Sequence, residues 1–544
     1  MNKKLVKIIA LVMSFAMLLC VAVVPASAAD EIEEVPEISA IEKGFFNFTD
    51  ILVNGLVGAI AAFIPAPLSW IKEADYKSEF VPAGTEVFLD TPAENAKWSL
   101  GYAQNSILEG QQVLGSNHYV SGGISITAKH PTRIVDDSKV RVIAMNDGSG
   151  RGTVVFAVID AYGLANNDVR EIRKRIDAFA KENNIVSVNV AVLHQHSAVD
   201  TFGMNGDIVQ AVFLNPAINL INKIAGKVVI EPHNGKNDNF QNNLFNVTVE
   251  AIETAVAQME TGKLYYGEVD IEEYVRDKRP PYALENTLNR FRFVPDDTSV
   301  KETWFSTSEI HCVGNGVQGT DVTADYPYYM EEYISKNTNA NFMLLLGAEL
   351  ATSQDHDPFN NVEYPAGVEG YMILGEKLGE KLASITEERE IAPLINIAHK
   401  EVMYDIENKI MHLAAKAGLF ENQAVVTKDG VKVVSEIGYM ELGTDIAVAL
   451  IPGELEASIA FGGGLTSEDS WSGEDWGYKS MQEIVGEREL LVFGLCNDQV
   501  GYIVPTNDYM PMLWEDSKSI EFVSLGSQTA ITYIEAFTSL VNSK

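Results

Sequence analysis

Two valine-rich runs separated by a helical segment constrain the fold more than any other feature of this sequence. Residues 154–159 form a continuous apolar run, and residues 186–193 form a valine-rich run that contains Ser187 and Asn189; both have the length of a strand. Between them, apolar residues recur at helical spacing after Asn166 and Asn167, a residue type that caps helices. The residues at that spacing are Val169, Ile172, Ile176 and Phe179. This order predicts a strand–helix–strand unit with parallel strands, and therefore an α/β fold.

The first 28 residues are organised like a secretory signal. Three lysines precede an apolar stretch at residues 8–24, and Ala26-Ser27-Ala28 provides the small residues of a cleavage site. We therefore predict a signal peptide at residues 1–28 and a secreted or extracytoplasmic protein. Residues 29–98 are predicted to form an N-terminal acidic segment and an apolar helix, and residues 99–544 the main domain.

The charge balance excludes nucleic acid as a partner. The sequence has 76 acidic residues against 40 lysines and arginines, a net charge of −36, and processing would remove three of the lysines. A phosphate backbone needs a basic surface, and an anionic membrane would be repelled for the same reason. Only Cys312 and Cys496 remain after processing, so we expect no disulfide framework.

An apolar stretch at residues 51–71 has three interpretations. It is either an interfacial anchor that makes weak contact with a membrane surface, or the wall of a groove that admits lipid, or else an N-terminal helix packed on the core. Asn54, Pro65 and Pro67 interrupt the stretch, and the prolines argue against a helix that spans a membrane. Of the three interpretations we favour the packed helix.

Two histidines follow the second valine-rich strand, at the strand end where α/β proteins carry their chemistry. His194 and His196 lie two positions apart, so on an extended chain both imidazoles point to the same side. Imidazole is the commonest metal-binding side chain. One interpretation is therefore a metal site, and the other is a structural histidine next to a solvated one.

Two further strand ends carry potential ligands. Glu454 follows an apolar run at residues 446–451 and precedes a helical pattern, so the positive end of a helix would favour its ionised form. Tyr502 follows the run at 490–495. Imidazole and carboxylate ligands with an open coordination position suit a catalytic zinc ion.

At these places the sequence resembles the neutral/alkaline non-lysosomal ceramidase family, as a divergent member, from about Gly101 onward. Leu193-His194-Gln195-His196-Ser197 stands where the family has Thr-His-Thr-His-Ser, Pro452-Gly453-Glu454 matches its Pro-Gly-Glu, and the segment from Gly494 to Tyr502 is similar to its Gly-Leu-x-Asn-x-x-x-x-Tyr. The resemblance implies mixed sheets flanked by helices, as in the family's catalytic domain. We expect the chain to lack the family's C-terminal immunoglobulin-like domain.

The resemblance implies a zinc-dependent hydrolase of lipid metabolism, in which metal-bound water attacks the amide, or an ester, of an N-acylated lipid such as a sphingolipid. It implies His196, Glu454 and Tyr502 as zinc ligands. His194 would be a further ligand or an acid/base partner, and Tyr502 would also support the oxyanion. A catalytic role is implied for His311, whose segment is similar to a His-Pro-Thr loop near the family's site.

Two departures from the family bear on the function. Its first zinc-binding histidine has no counterpart here, and Asp136 or Asp137 would replace it. Of the two, Asp136 is the better candidate because it lies just before the strand where the family places that histidine. The alternative is that both are solvated acids of a turn. The family's serine segment corresponds to residues 346–350, which contain no serine. The alternative function is therefore a non-catalytic secreted or envelope binding protein that keeps the fold.

Overall fold

Two mixed β-sheets form the centre of the structure. The structure is a computed structural model, and it describes residues 40–80, 83–122, 128–313, 319–354 and 368–543. The predicted signal peptide lies outside the described residues. The strands are β1 (Ile71–Lys72), β2 (Trp98–Ser106), β3 (Arg133–Ile134), β4 (Lys139–Asn146), β5 (Thr153–Ile159), β6 (Ile185–Val192), β7 (Glu260–Asp270), β8 (Val275–Asp277), β9 (Thr287–Pro295), β10 (Glu302–Ser308), β11 (Asp321–Val322), β12 (Ala340–Leu346), β13 (Thr352–Gln354), β14 (Arg389–Ile391), β15 (Ile395–Asp405), β16 (Ala424–Val426), β17 (Val431–Leu442), β18 (Ile446–Leu450), β19 (Glu454–Leu455), β20 (Glu489–Phe493) and β21 (Tyr502–Ile503). The helices are α1 (Ala40–Phe63), α2 (Asn166–Glu182), α3 (Ile208–Ala225), α4 (Asp238–Ala257), α5 (Asp325–Asn337), α6 (Val368–Ala383), α7 (Lys409–Lys416), α8 (Ala457–Phe461), α9 (Met481–Val485) and α10 (Thr529–Asn542).

The larger sheet has nine strands, in the order β12-β10-β9-β7-β2-β4-β5-β6 with β14 also paired to β7. Most neighbours are antiparallel, whereas β5–β6 and β10–β12 are parallel. Helix α2 connects β5 to β6 and buries Val169, Ile172 and Ile176, which share one helical face. The predicted strand–helix–strand unit is therefore confirmed.

The smaller sheet has six strands, in the order β1-β16-β17-β18-β20 with β15 paired to β17. One continuous hydrophobic cluster contains residues of both sheets. Phe156 of β5, for example, packs edge to face on Phe493 of β20, with ring centroids 5.5 Å apart. The two sheets therefore share a core, and the predicted class of mixed sheets flanked by helices is confirmed.

A buried ion cluster links the larger sheet to helix α5. Arg141 of β4 donates to Asp160 at 2.9 Å and to Glu331 of α5 at 2.6 Å, and its side chain is almost inaccessible to solvent. Lys139 also contacts Glu331, at 3.2 Å. Charges removed from water in this way are stable only together, because each carboxylate needs the guanidinium to offset its lost hydration.

Helix α1 ends at Phe63, just before Pro65 and Pro67, because proline cannot continue a helix. The prolines therefore interrupt the apolar stretch at residues 51–71 as expected, whereas Asn54 lies within the helix and does not. Among the described residues, this one helix is long and apolar enough, by length and composition, to cross a membrane. Its buried face, Val53, Val57 and Ala61, packs on α7.

Replacement of Arg141 by leucine tests the buried ion cluster. We expect Arg141→Leu to lower the free energy of unfolding by about 3–5 kcal/mol, because Asp160 is left buried without a cationic partner and Glu331 keeps only Lys139. Denaturant unfolding measures the change. Arg133→Leu is the matched control, because the Arg133–Asp321 pair is largely exposed on the arginine side, and its loss should cost about 1 kcal/mol or less. Equal losses in the two variants would contradict the account.

Candidate metal centre

The carboxyl ends of five strands meet at one place, and the segments that follow them carry the candidate site. The strands are β6, β10, β12, β18 and β20. Backbone hydrogen bonds join these ends directly. The donors and acceptors are Gly347 N to Ser308 O at 2.9 Å, Gly494 N to Leu346 O at 2.8 Å, Ile451 N to Phe493 O at 2.9 Å and Val192 N to Leu495 O at 3.3 Å. Residues far apart in the sequence are thereby held within side-chain reach of one another.

The histidine segment leaves β6 in a bent conformation. His194 has a left-handed backbone, with φ of 52°, so the extended chain expected from the sequence ends before it. Gln195, between the two histidines, donates to Asp160 at 2.9 Å and therefore points away from them. The two imidazoles still converge, with ring centroids 4.8 Å apart. The two imidazoles therefore lie on the same side, as predicted, but the bend at His194 brings them together rather than the alternation of side chains along a strand.

His311 brings a third imidazole to the same point. Its ring centroid lies 4.8 Å from that of His194 and 4.9 Å from that of His196, so the three rings form a nearly regular triangle. The Nε2 atoms of His196 and His311 are 2.9 Å apart. A backbone hydrogen bond from His196 N to Cys312 O, at 3.1 Å, holds the two segments together.

Hydrogen bonds fix the tautomers of two of these histidines. His194 Nδ1 lies 2.7 Å from Tyr162 O, and a carbonyl can only accept, so Nδ1 carries the proton. The same argument applies to His311 Nδ1, which lies 3.4 Å from Glu349 O. Both Nε2 atoms are therefore left with a lone pair that can bind a cation.

Glu454 and Tyr502 lie side by side, because β19 and β21 pair in the register Glu454 to Tyr502. Glu454 Oε1 accepts a hydrogen bond from Gln499 at 3.0 Å and lies 3.5 Å from His194 Nε2. Glu454 Oε2 lies 3.9 Å from His311 Nε2. The structure therefore brings together five of the predicted site residues: His194, His196, His311, Glu454 and Tyr502.

Glu349 is a functional candidate that the sequence analysis missed. It follows β12 and is completely buried, with Oε2 3.4 Å from His311 Nδ1. Neither of its carboxyl oxygens makes a hydrogen bond with the described residues. An acid in the otherwise apolar run Leu346-Gly347-Ala348-Glu349-Leu350 was the available signal. The resemblance drew attention only to the serine that this segment lacks.

Burial drives this cluster towards neutral groups. Loss of hydration raises the pKa of Glu454 to about 8 and that of Glu349 well above its usual range, the latter also through the charge of Glu454. Burial lowers the pKa of His194 to about 4, and holds those of His196 and His311 well below the usual value. The ionised Glu454 expected from a nearby helix end is thus disfavoured, because desolvation outweighs a helix of only five residues.

The donor set fits a divalent metal ion. Two groups of residues, His194–His196–His311 and His311–Glu349–Glu454, offer ligand atoms that lie within 4.8 Å of one another. His194 Nε2 makes no hydrogen bond with the described residues, although it is fully buried. Nitrogen and oxygen donors around one point are the ligands of zinc, and a cation would supply the positive charge that the buried carboxylates lack.

Among the described residues, Asp136 is not one of those that form this cluster. It accepts hydrogen bonds from Thr323 Oγ1 and Ala324 N, both at 2.6 Å, and from Tyr329 at 3.1 Å. Burial raises its pKa to about 6, although these hydrogen bonds favour the ionised form. Its neighbour Asp137 accepts from Ser106 at 2.6 Å. The structure brings His311, and not an acid before β4, to His194 and His196.

An apolar pocket lies against the Glu454 side of the cluster. Glu454, Gln499, Tyr502 and Tyr162 line it together with a larger set of apolar side chains. The apolar set includes Trp70, Phe202, Met204, Met411, Ala415 and Phe420. The ring of Tyr162 stacks on His194 at 4.3 Å, so the pocket wall and the imidazole cluster are in direct contact.

Solved structures of neutral ceramidases have the same fold. No protein-family model matches the sequence, and no characterised protein matches it at the level of sequence. The neutral ceramidase of Pseudomonas aeruginosa superposes with a TM-score of 0.60 and 13% identity, over 82% of this chain and 74% of that chain. A ceramidase complexed with C2 gives 0.59 and 13%, over 82% and 75%. The chain therefore has a ceramidase-like fold.

Replacement of Asp136 separates the two assignments of the additional ligand. We expect Asp136→Asn to keep the metal content of the wild type, because this side chain contacts Thr323, Ala324 and Tyr329. His311→Ala should lower the metal content, since it removes one of the three imidazoles. Metal content of the purified variants, measured by plasma mass spectrometry, gives the answer. Loss of metal in Asp136→Asn with retention in His311→Ala would show that the ligands are assigned wrongly.

Proposed function

We propose that this protein is a secreted or extracytoplasmic zinc-dependent amidohydrolase that acts on an N-acylated or lipid-like substrate, with an ester as the alternative bond. The observation that carries the proposal is the buried cluster of three imidazoles and two carboxylates beside an apolar pocket. The ceramidase-like fold supports a hydrolase, and the leader-like sequence of residues 1–28 supports export.

His194, His196, His311 and Glu454 would hold the ion, with Tyr502 at the pocket side. Zinc supplies Lewis acidity and activates water for attack on an acyl carbon near neutral pH. Gln499 fixes the orientation of Glu454 through its 3.0 Å hydrogen bond. Burial keeps the pKa of Tyr502 well above its usual value, so its hydroxyl stays protonated and can donate to a developing oxyanion.

The pocket favours a substrate with an apolar chain. Most of its lining side chains are aromatic or aliphatic, among them Phe202, Met411 and Phe420. An alkyl chain that leaves water for such a wall gains about 25 cal/mol for each Å² that is buried. Glu454 and Tyr502 line the same pocket, which would place the polar head of the substrate at the cluster.

His196→Ala and Glu454→Ala test the metal site independently of the reaction. We expect each variant to lose zinc affinity by about 10-fold or more, because each removes a donor atom. Competition with a chromogenic chelator measures the affinity. Val300→Gln is the control, because Val300 is exposed and the substitution adds no charge. Wild-type protein that binds no divalent metal in this titration would overturn the assignment.

The reaction is tested with inhibitors of two kinds. We expect a chelator to stop hydrolysis of a short-chain N-acyl amide and added zinc to restore it, whereas serine-directed acylating reagents should have no effect. The reason is that the segment after β12 has Glu349 and no serine. Covalent labelling of a serine with parallel loss of activity would contradict this mechanism. Zinc-loaded protein that hydrolyses no amide or ester would favour the non-catalytic binding protein.

A further inference from the structure

Helix α3 has its polar side inward and its apolar side outward. Asn215, Asn219 and Asn222 share one face at helical spacing and are buried. The opposite face carries exposed Phe213, Leu214, Leu220, Ile221 and Ile224, the last of them 79% exposed. A helix on the surface of a water-soluble domain has the reverse arrangement, because its apolar face is the one that packs.

The buried asparagines explain why this orientation is stable. Asn219 Nδ2 donates to Lys416 O at 2.9 Å, at the end of α7. Asn222 Nδ2 donates to Ile230 O at 2.8 Å, and its Oδ1 accepts from Val229 N at 2.9 Å. These side chains satisfy backbone groups that a leucine in their place would leave without a partner. The outward direction of the apolar face is therefore fixed by specific hydrogen bonds.

Further exposed apolar residues lie close to α3 in the sequence or on a helix connected to it. Val228, Val229 and Ile230 follow α3 and are each about half exposed. Helix α1, which packs on α7, exposes Ile51 and Phe63, by 71% and 84%. Lys416 bridges the two helices, because its Nζ donates to Ala61 O of α1 at 2.9 Å while its carbonyl accepts from α3. We call these exposed residues of α1, α3 and 228–230 the apolar platform.

Charge distinguishes a lipid surface from a second copy of the chain as the partner. Residues 208–230 contain Lys223 and Lys227 among the exposed apolar side chains and no acid, with Asp207 directly before the segment and Glu231 directly after it, in a chain with almost twice as many acidic as basic residues. An isologous dimer through this face would bring the same positive charges together. Phosphate headgroups of a bilayer complement lysines at the edge of an apolar surface.

We propose that the apolar platform docks on a lipid bilayer and places the pocket next to it. Met411 and Ala415 of α7 line the pocket, and the same helix packs against α1 and, at its end, accepts the hydrogen bond from α3. A lipid leaving the bilayer would therefore reach the pocket without crossing water. The delivery step rests on the proposed function, whereas binding of the bilayer does not. The net charge that argues against membranes is a property of the whole chain and not of this face.

Flotation with phosphatidylcholine vesicles containing a minor fraction of phosphatidylglycerol tests the docking surface. The protein should start at residue 29, so that the apolar residues 8–24 cannot themselves bind lipid. We expect the wild type to float with the vesicles and Leu220→Gln/Ile224→Gln to partition about 10-fold less, because two apolar side chains no longer enter the bilayer. Val87→Gln/Val300→Gln, with two exposed valines outside the apolar platform, should bind like the wild type.

The outcomes separate this proposal from its alternatives. Absence of vesicle binding by the wild type, or equal binding by both double variants, would overturn it. Sedimentation without lipid that shows a dimer, dissociated by Leu220→Gln/Ile224→Gln, would instead assign the surface to a second copy of the chain. Flotation of the chelated, metal-free protein keeps the test independent of hydrolysis. A protein that floats as expected but hydrolyses nothing would refute the proposed function alone.

Discussion

The contact of Asp160 with both Arg141 and Gln195 joins the core of the larger sheet to the candidate site. Arg141 lies in the middle of the sheet and is held between Asp160, at the end of β5, and Glu331 of α5. Asp160 also accepts from Gln195, the residue between His194 and His196. The side chain that directs the two imidazoles inward is thus anchored to a buried ion pair, and the orientation of the histidine segment depends on the packing of the sheet.

The cluster that results is electrostatically incomplete by itself. Three imidazoles and two carboxyl groups lie within a few ångströms of one another and are almost inaccessible to water. Burial favours the neutral form of all five. The carbonyl oxygens of Tyr162 and Glu349 nevertheless hold the protons of His194 and His311 on Nδ1, which leaves the Nε2 lone pairs facing inward. His194, His196, His311, Glu349 and Glu454 could together hold a divalent cation, whose charge would favour ionised carboxyl groups and would be bound by the imidazole lone pairs.

Much of the fold and part of the site could be predicted from the sequence. The strand–helix–strand unit could be predicted because both strands are rich in valine, as parallel strands buried on both faces usually are, and because the segment between them has helical spacing. The strand ends bearing His194, Glu454 and Tyr502 followed from the same pattern. Glu349 was missed although it interrupts an apolar run, because a single acid after a strand is usually a solvated loop residue. The inward orientation of the polar face of α3 could not be predicted either. Asparagines are usually exposed, and their burial here is explained only by the backbone groups that they contact.

The central claim is that a metal ion lies between the three imidazoles. Crystals of the protein grown with zinc, with diffraction data collected on both sides of the zinc absorption edge, locate the ion directly. The account predicts an anomalous peak about 2.0–2.2 Å from the Nε2 atoms of His194, His196 and His311, with a carboxyl oxygen of Glu454 in the same range. An anomalous peak for zinc only at other places would contradict the account. Density at the cluster that fits water and has no anomalous signal would also contradict it.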